Sequence, residues 1–279
     1  MKRLHLYKIF FVCLLGNFFS CEKVVDLDLN TIEPLLVIDA SITASGLQGE
    51  LGCSVVLTKT QNFDSQDSVE PLTGATITLT DNTTGESEGL FLESRFLFYA
   101  TPMEIKEGHE YTLRVEYEDK VYEATETVPK PVDIDRLYFL RVNMDSKEDH
   151  PWMAPVIVFN DPADVSNYYM NTVYVNGTRM KSIYLADDEY KNGKITEHFL
   201  PFDSNDNKDE ELKIGDQVTV ELESLSQQSY KYFLTMFSVA AGGGVNPISN
   251  FSGGVLGCFK AYARTSITTT IADDNIVER

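Results

Sequence analysis

Several groups of residues have types and spacings that could do chemistry, and each points to a different kind. Cys21, in "FFSCEKVVDLDLN", directly follows small Ser20 at the end of an apolar run, and a thiol so placed is suited to carry a diacylglycerol thioether. "DSNDNKDEE" sets Asp203, Asn205 and Asn207 at alternating positions, the oxygen-ligand spacing of a calcium loop. Lys208 stands where the sharp turn requires glycine, however, and Ile214 where a bidentate carboxylate would close the shell, so a solvated hairpin loop is the stronger reading. Trp152, the one tryptophan, could stack on a sugar or peptide ring if exposed, with core or interface packing as the default.

Catalytic patterns are missing from the chain. It holds no nucleophile elbow, metalloprotease helix, paired-cysteine ligand set or phosphate loop, and Gly242–Gly244 lacks the Lys-Ser/Thr that would touch phosphate, so it reads as a helix stop. His109, His150 and His198 lie far apart in no triad or ligand spacing, which favours surface or half-buried histidines. Asp187, Asp188 and Glu189 are adjacent, whereas a glycosidase pair must flank a scissile bond; they read as a charged loop tip. The expectation is a protein that is not an enzyme, with no cofactor and no metal.

The first residues decide the compartment. Lys2, Arg3 and Lys8 precede an apolar run, Ile9 to Phe19, that is short against the roughly 20 residues needed to span a bilayer, so residues 1–20 read as a cleaved lipoprotein signal peptide. Residues 21–33 then form an acidic tether in which Asp26 and Asp28 alternate with Val25, Leu27 and Leu29. Removing the signal takes away three bases and no acid, leaving 20 bases against 43 acids and a formal charge of about −23. With no Lys/Arg cluster to release counterions, nucleic acid is excluded as a partner. Of four cysteines, Cys13 leaves with the signal and Cys21 is the lipid site. Cys53 and Cys258 remain: they either pair as a disulfide or stand as buried small hydrophobes, and the alternation of Cys53 with Val55 and Leu57 favours the second.

Alternating segments separated by Gly, Asn, Asp and Pro make the rest of the chain mainly β. In "GATITLTDNTTGE", Ala75, Ile77 and Leu79 face inward and Asp81–Gly85 turns; in "HEYTLRVEYED", Tyr111, Leu113, Val115 and Tyr117 share a face, with a hairpin at Asp119–Lys120. Residues 34–130 form an immunoglobulin- or transthyretin-like sandwich of about seven strands, bounded by Pro129 and Pro131. Residues 131–279 form a second β domain packed on the first, with one amphipathic helix near 226–240 that places Tyr230, Phe233, Leu234 and Phe237 at helical spacing. Gly253, Gly254 and Gly257 mark a bulge or a close backbone crossing before a Thr-rich terminal strand.

The order of "CEKVVDLDLNTIEPLLVIDASIT", "LTGATITLTD", "EGHEYTLRVEYEDKVYEATETVPKPVDID", "GDQVTVELESLSQQSYKYF" and "NPISNFSGGVLGCFKAY" resembles the Bacteroidota lipoproteins that carry domain of unknown function 4249. The resemblance covers nearly the whole chain. It implies a β-rich lipoprotein held to the outer membrane through its lipid anchor, often near TonB-dependent uptake systems, and it brings no catalytic residues. Two departures stand out: Cys258 replaces the usual small or aliphatic residue, and the tether opens Glu22-Lys23-Val24-Val25 rather than with a compact acidic cluster, which leaves the surface and periplasmic faces both open. The expected function is a non-enzymatic cell-envelope lipoprotein that binds a ligand for a TonB-dependent transporter or serves as its accessory subunit. A structural or adhesive surface protein is the alternative, and a carboxylate-dependent hydrolase the second alternative.

Overall fold

The computed structural model describes residues 33–44, 52–62, 65, 67–93, 98–142, 152–163, 165–201, 212–244 and 246–278. Within them the first half supplies β1 (Leu36–Thr43), β2 (Cys53–Lys59), β3 (Thr76–Asp81), β4 (Ser87–Gly89), β5 (Phe91–Glu93), β6 (Phe98–Ala100), β7 (Glu110–Tyr117) and β8 (Lys120–Thr127). The second half supplies β9 (Ile134–Val142), β10 (Trp152–Asn160), β11 (Tyr168–Val175), β12 (Thr178–Asp187), β13 (Ile195–Phe199), β14 (Gln217–Leu225), helix α1 (Gln227–Ala240), β15 (Leu256–Thr270) and β16 (Ile276–Glu278). The expected faces hold: Ile77, Leu79, Tyr111, Leu113 and Val115 are buried, while Thr76, Glu110 and Glu116 are exposed. The hairpin between β7 and β8 turns one residue earlier than expected. Tyr117 pairs with Lys120, and Glu118 and Asp119 take the two left-handed positions, at φ 50° and 61°, that a two-residue primed turn requires.

Three sheets result. The largest has eight strands in the order β12-β11-β14-β15-β1-β2-β6-β5, and two four-stranded sheets, β4-β3-β7-β8 and β13-β10-β9-β16, pack on its two ends. The first packing buries Ile38, Val55 and Leu57 against Ile77, Leu113 and Val115, and the second buries Val173, Val220 and Leu222 against Phe139, Ile157 and Phe159. The first core draws on residues between Ile38 and Val128 and the second on residues between Val132 and Ile271, with one exception to that order along the chain. Phe251, Val255, Phe259 and Ala261, from the far end of the chain, fill the first core.

Strand β15 makes that exception possible. Residues 256–262 run parallel to β1, and residues 262–270 run antiparallel to β14, so one strand belongs to both sandwiches. Because side chains alternate with period two, its odd positions serve both interiors: Phe259 and Ala261 in the first, Ile267 in the second. Gly257 sits at φ +100°, and a Cβ there would overlap the backbone of Ile38 on β1. This is the close crossing that the glycines foreshadow.

Helix α1 begins at Ser226, whose side chain accepts from Ser229 N, and ends at Ala241 with Gly242 at φ +96°. It lies on the large sheet against β15, β11 and β12, where Ser229 Oγ accepts from Ala261 N at 3.0 Å and Tyr230 packs on Tyr168 with centroids 4.9 Å apart. Leu234, expected among the helix's aligned apolar residues, is 50% exposed.

The disulfide reading fails on register. Cys53 stands opposite Ile42 and Cys258 opposite Asp39, on either side of β1, so the cysteines are two strands apart and, three residues out of step, on opposite faces. Two strand spacings, about 9.5 Å, exceed the reach of a disulfide. Both are buried free thiols, and burial pushes that of Cys53 up to about 12.

Candidate functional site

A cleft of about 500 Å³ opens where the end of β8 meets the start of α1 and of β11. Glu126 is its most unusual wall. Strand β8 turns Tyr122 and Ala124 into the first core, Val128 continues the pattern just past its end, and Glu126 occupies the same register, leaving the residue 3% exposed. Burial raises its pKa, and hydrogen bonds from Ser226 and Asn250 pull back in the other direction. Asn250 Nδ2 lies 2.6 Å from Glu126 Oε1, and the same Asn250 side chain exchanges bonds of 2.9 Å with both backbone groups of Phe259 on β15. The carboxyl is thus fixed to the strand that both sandwiches share.

Opposite it stand Gln227 and Gln228 from the first turn of α1, and Tyr168, whose hydroxyl accepts from Gln227 Nε2 at 2.8 Å. Glu110, held by Asn82 Nδ2 at 2.9 Å, adds a second carboxylate. Two carboxylates, two amides and a phenol can accept from and donate to a polar ligand, and the charge favours a ligand rich in N–H or O–H groups or carrying a cation.

On the outer face of the large sheet, Lys260 pairs with Glu223, and Arg264 with Glu221 at 3.2 Å, joined by Tyr174 Oη at 3.1 Å. Lys260 Nζ also stands 4.0 Å from the centre of the Tyr262 ring. These half-buried charges neutralise one another and tie β14 to β15.

The residues singled out by sequence scatter. Trp152 opens β10, paired opposite Val142. Cys21, His150, and Asp203, Asn205 and Asn207 lie outside the described residues. No group of three or more metal-ligating side chains occurs among the described residues, and no helix among them is long and apolar enough to cross a membrane. Asp188 is buried rather than at a loop tip: its Oδ2 accepts from Asn192 and Asn167. His109 Nδ1 lies 2.8 Å from Asp81 Oδ2; burial acts to raise the Asp81 carboxyl, but bonds from His109 and from the Thr83 and Thr84 backbones outweigh it and hold the pKa low. His198 is buried in the second sandwich. Glu126 escaped notice although a signal was present, since "VYEATETV" places a glutamate on the apolar phase of an otherwise regular strand.

Fold and site together define a mainly β protein of several sheets, with one helix and a polar cleft at the junction of two cores. The chain belongs to the family described as domain of unknown function (DUF4249), whose model it matches over residues 22–268. No curated protein matches. Among solved structures, the chicken interferon gamma receptor alpha chain is similar at 8% identity, over 70% of this chain and 90% of that one, with a TM-score of 0.21, too low to carry an argument.

Proposed function

We infer that this chain is a non-enzymatic lipoprotein of the cell envelope, anchored to the outer membrane through Cys21, that captures a polar ligand as a binding or accessory component of a TonB-dependent uptake system. The observation that carries the binding role is the cleft with Glu126 buried at its wall. A carboxyl held out of water and aimed by Asn250 is costly to keep unless something uses it, and a ligand's donors or cation would offset that cost. The anchor rests on Ser20-Cys21 behind the apolar run, and the transporter on the family resemblance.

Capture of the full-length protein from detergent-solubilised membranes tests the partner. The expected result is a TonB-dependent transporter enriched over a Cys21→Ala control, with labelled palmitate on the parent and none on the variant. Recovery of no envelope protein above that control overturns the accessory role. Glu126→Gln keeps the shape of the cleft while removing the charge, and loss of ligand uptake with unchanged transporter capture is the outcome expected of a binding residue.

A further inference from the structure

The second sandwich is open along one side, between β12, an edge of the eight-stranded sheet, and β13, an edge of a four-stranded one. A cavity of about 410 Å³ lies there, a volume within the range of small-molecule sites. Its wall on the core side is made by Tyr184 and Ala186 from β12 and Leu200 just after β13, while Ile183 and Leu185 border it through the backbone of β12 and turn their side chains to the other face; Tyr184 Oη donates to the carbonyl of Pro201. Two polar side chains reach it from the interior, Asn171 and His198.

These two fix each other. Asn171 Nδ2 lies 3.0 Å from His198 Nδ1, and the imidazole is wedged edge-on between Phe159 and Tyr169, at 4.8 and 5.6 Å between centroids. With the amide nitrogen placed beside it, Nδ1 accepts and the ring is neutral, and burial favours that neutral form by lowering the His198 pKa to about 4. The Asn171 carboxamide is thereby turned with Oδ1 away from the histidine. Asn171 is 0% exposed, and its Oδ1 has no hydrogen-bond partner. An unmet acceptor in such a place destabilises the fold, and native interiors rarely keep one without use.

We propose that this cavity is a second binding site, separate from the cleft at Glu126, for a small uncharged molecule that presents a hydroxyl or amide donor to Asn171 Oδ1 and lays an aliphatic body against Ala186 and Leu200. The one charged lining residue is Glu197, which is exposed, so no lining cation awaits an anion. The Glu197 carboxylate turns to the outer face of β13, where it accepts from Tyr138, so inside the cavity neither an ammonium nor a carboxylate meets a counter-charge to offset its lost hydration. A neutral head on an apolar tail meets both surfaces.

Titration of the full ¹⁵N-labelled chain with hexanamide and 1-hexanol, with hexanoate as the charged control, tests this through the Asn171 side-chain amide resonance. Both neutral probes are expected to shift it saturably, and hexanoate at equal concentration is not. Ala186→Leu narrows the cavity from an edge strand while keeping the Asn171 amide as reporter, and it is expected to weaken both neutral probes at least tenfold with the spectrum otherwise retained. Absence of a saturable shift with either neutral probe overturns the site, as does an equal shift with hexanoate or binding indifferent to Ala186→Leu. A crystal soaked in hexanamide that shows only ordered water on Asn171 Oδ1 overturns it too.

Discussion

Each sandwich has a tyrosine sealed at its centre, and the two are used differently. Tyr111 in the first core lends its oxygen to the backbone N–H of Lys106 at 2.8 Å, a neutral bond that fastens a loop. Tyr169 in the second donates to Asp161 Oδ1 at 2.5 Å, and the other oxygen of that buried carboxylate accepts from Gly193 N at 2.9 Å. Around Tyr111 most inward positions are aliphatic, with Asp81 opposite it on β3 as the polar exception; around Tyr169 they include Asn171, Thr196 and His198. A core of the first kind is held by area removed from water and fails only when its packing is cut. The second kind takes polar groups inside, gains a fixed geometry, and becomes sensitive to protonation.

The hardest blow to that comparison falls on the strand both cores share. Gly257→Ala places a methyl group into the Ile38 backbone at φ +100°, and the expected loss is on the order of 4 kcal/mol or more, read from guanidinium unfolding. Since β15 pairs with β1 and β14 alike, near-ultraviolet dichroism and the His198 ring resonance are expected to lose their native signals in one transition. A variant that unfolds the first core while His198 keeps its native shift would show two independent sandwiches.

Acid separates the cores next. The folded pKa of His198, about 4, lies below the usual 6.5 of an unfolded imidazole, so the unfolded chain takes up the proton first. The stability due to neutral His198 is therefore complete above about pH 6.5, declines as pH falls towards 4, and changes no further below that. A displacement of this size corresponds to roughly 3 kcal/mol. His198→Gln is expected to flatten that part of the urea-midpoint profile, and an equally steep profile in the variant would place the acid sensitivity elsewhere.

Much of this arrangement was legible in the sequence, for reasons that also explain what was not. Strands such as "TITLTD" and "EYTLRVEY" alternate cleanly because one face meets a core and the other water, and α1 announced itself through Ser226 at its start and Gly242 past its end. Strand β13, "ITEHF", faces Thr196 and His198 inward and Ile195 and Phe199 outward, so its hydrophobic phase is inverted and the strand passes for a loop. Strand β12 has no period at all, being half-buried along most of its length. The pairing of β15 with β1 joins residues more than 200 positions apart, and no local pattern encodes it. The same inversion hid the sites, since Glu126 and Asn171 occupy positions where periodicity calls for an aliphatic side chain, and a polar residue there reads as noise until its partners are known.

The finest distinction between the cores is a single oxygen atom. Tyr111→Phe and Tyr169→Phe each remove one hydroxyl from a fully buried ring and leave the packing in place. In the first core the loss strands the half-buried amide of Lys106, a neutral donor, at a cost of about 1 kcal/mol. In the second it strips a buried carboxylate of its phenolic donor and leaves Gly193 N on the other oxygen, and bonds to charged groups contribute about 1.5–3 kcal/mol. Tyr169→Phe is therefore expected to lower stability by roughly 2 kcal/mol, about twice the effect of Tyr111→Phe, in paired urea melts at pH 7. Equal losses would mean that Asp161 finds a replacement donor as readily as a backbone amide does. In that case the polar interior of the second sandwich would be no more demanding than the apolar interior of the first.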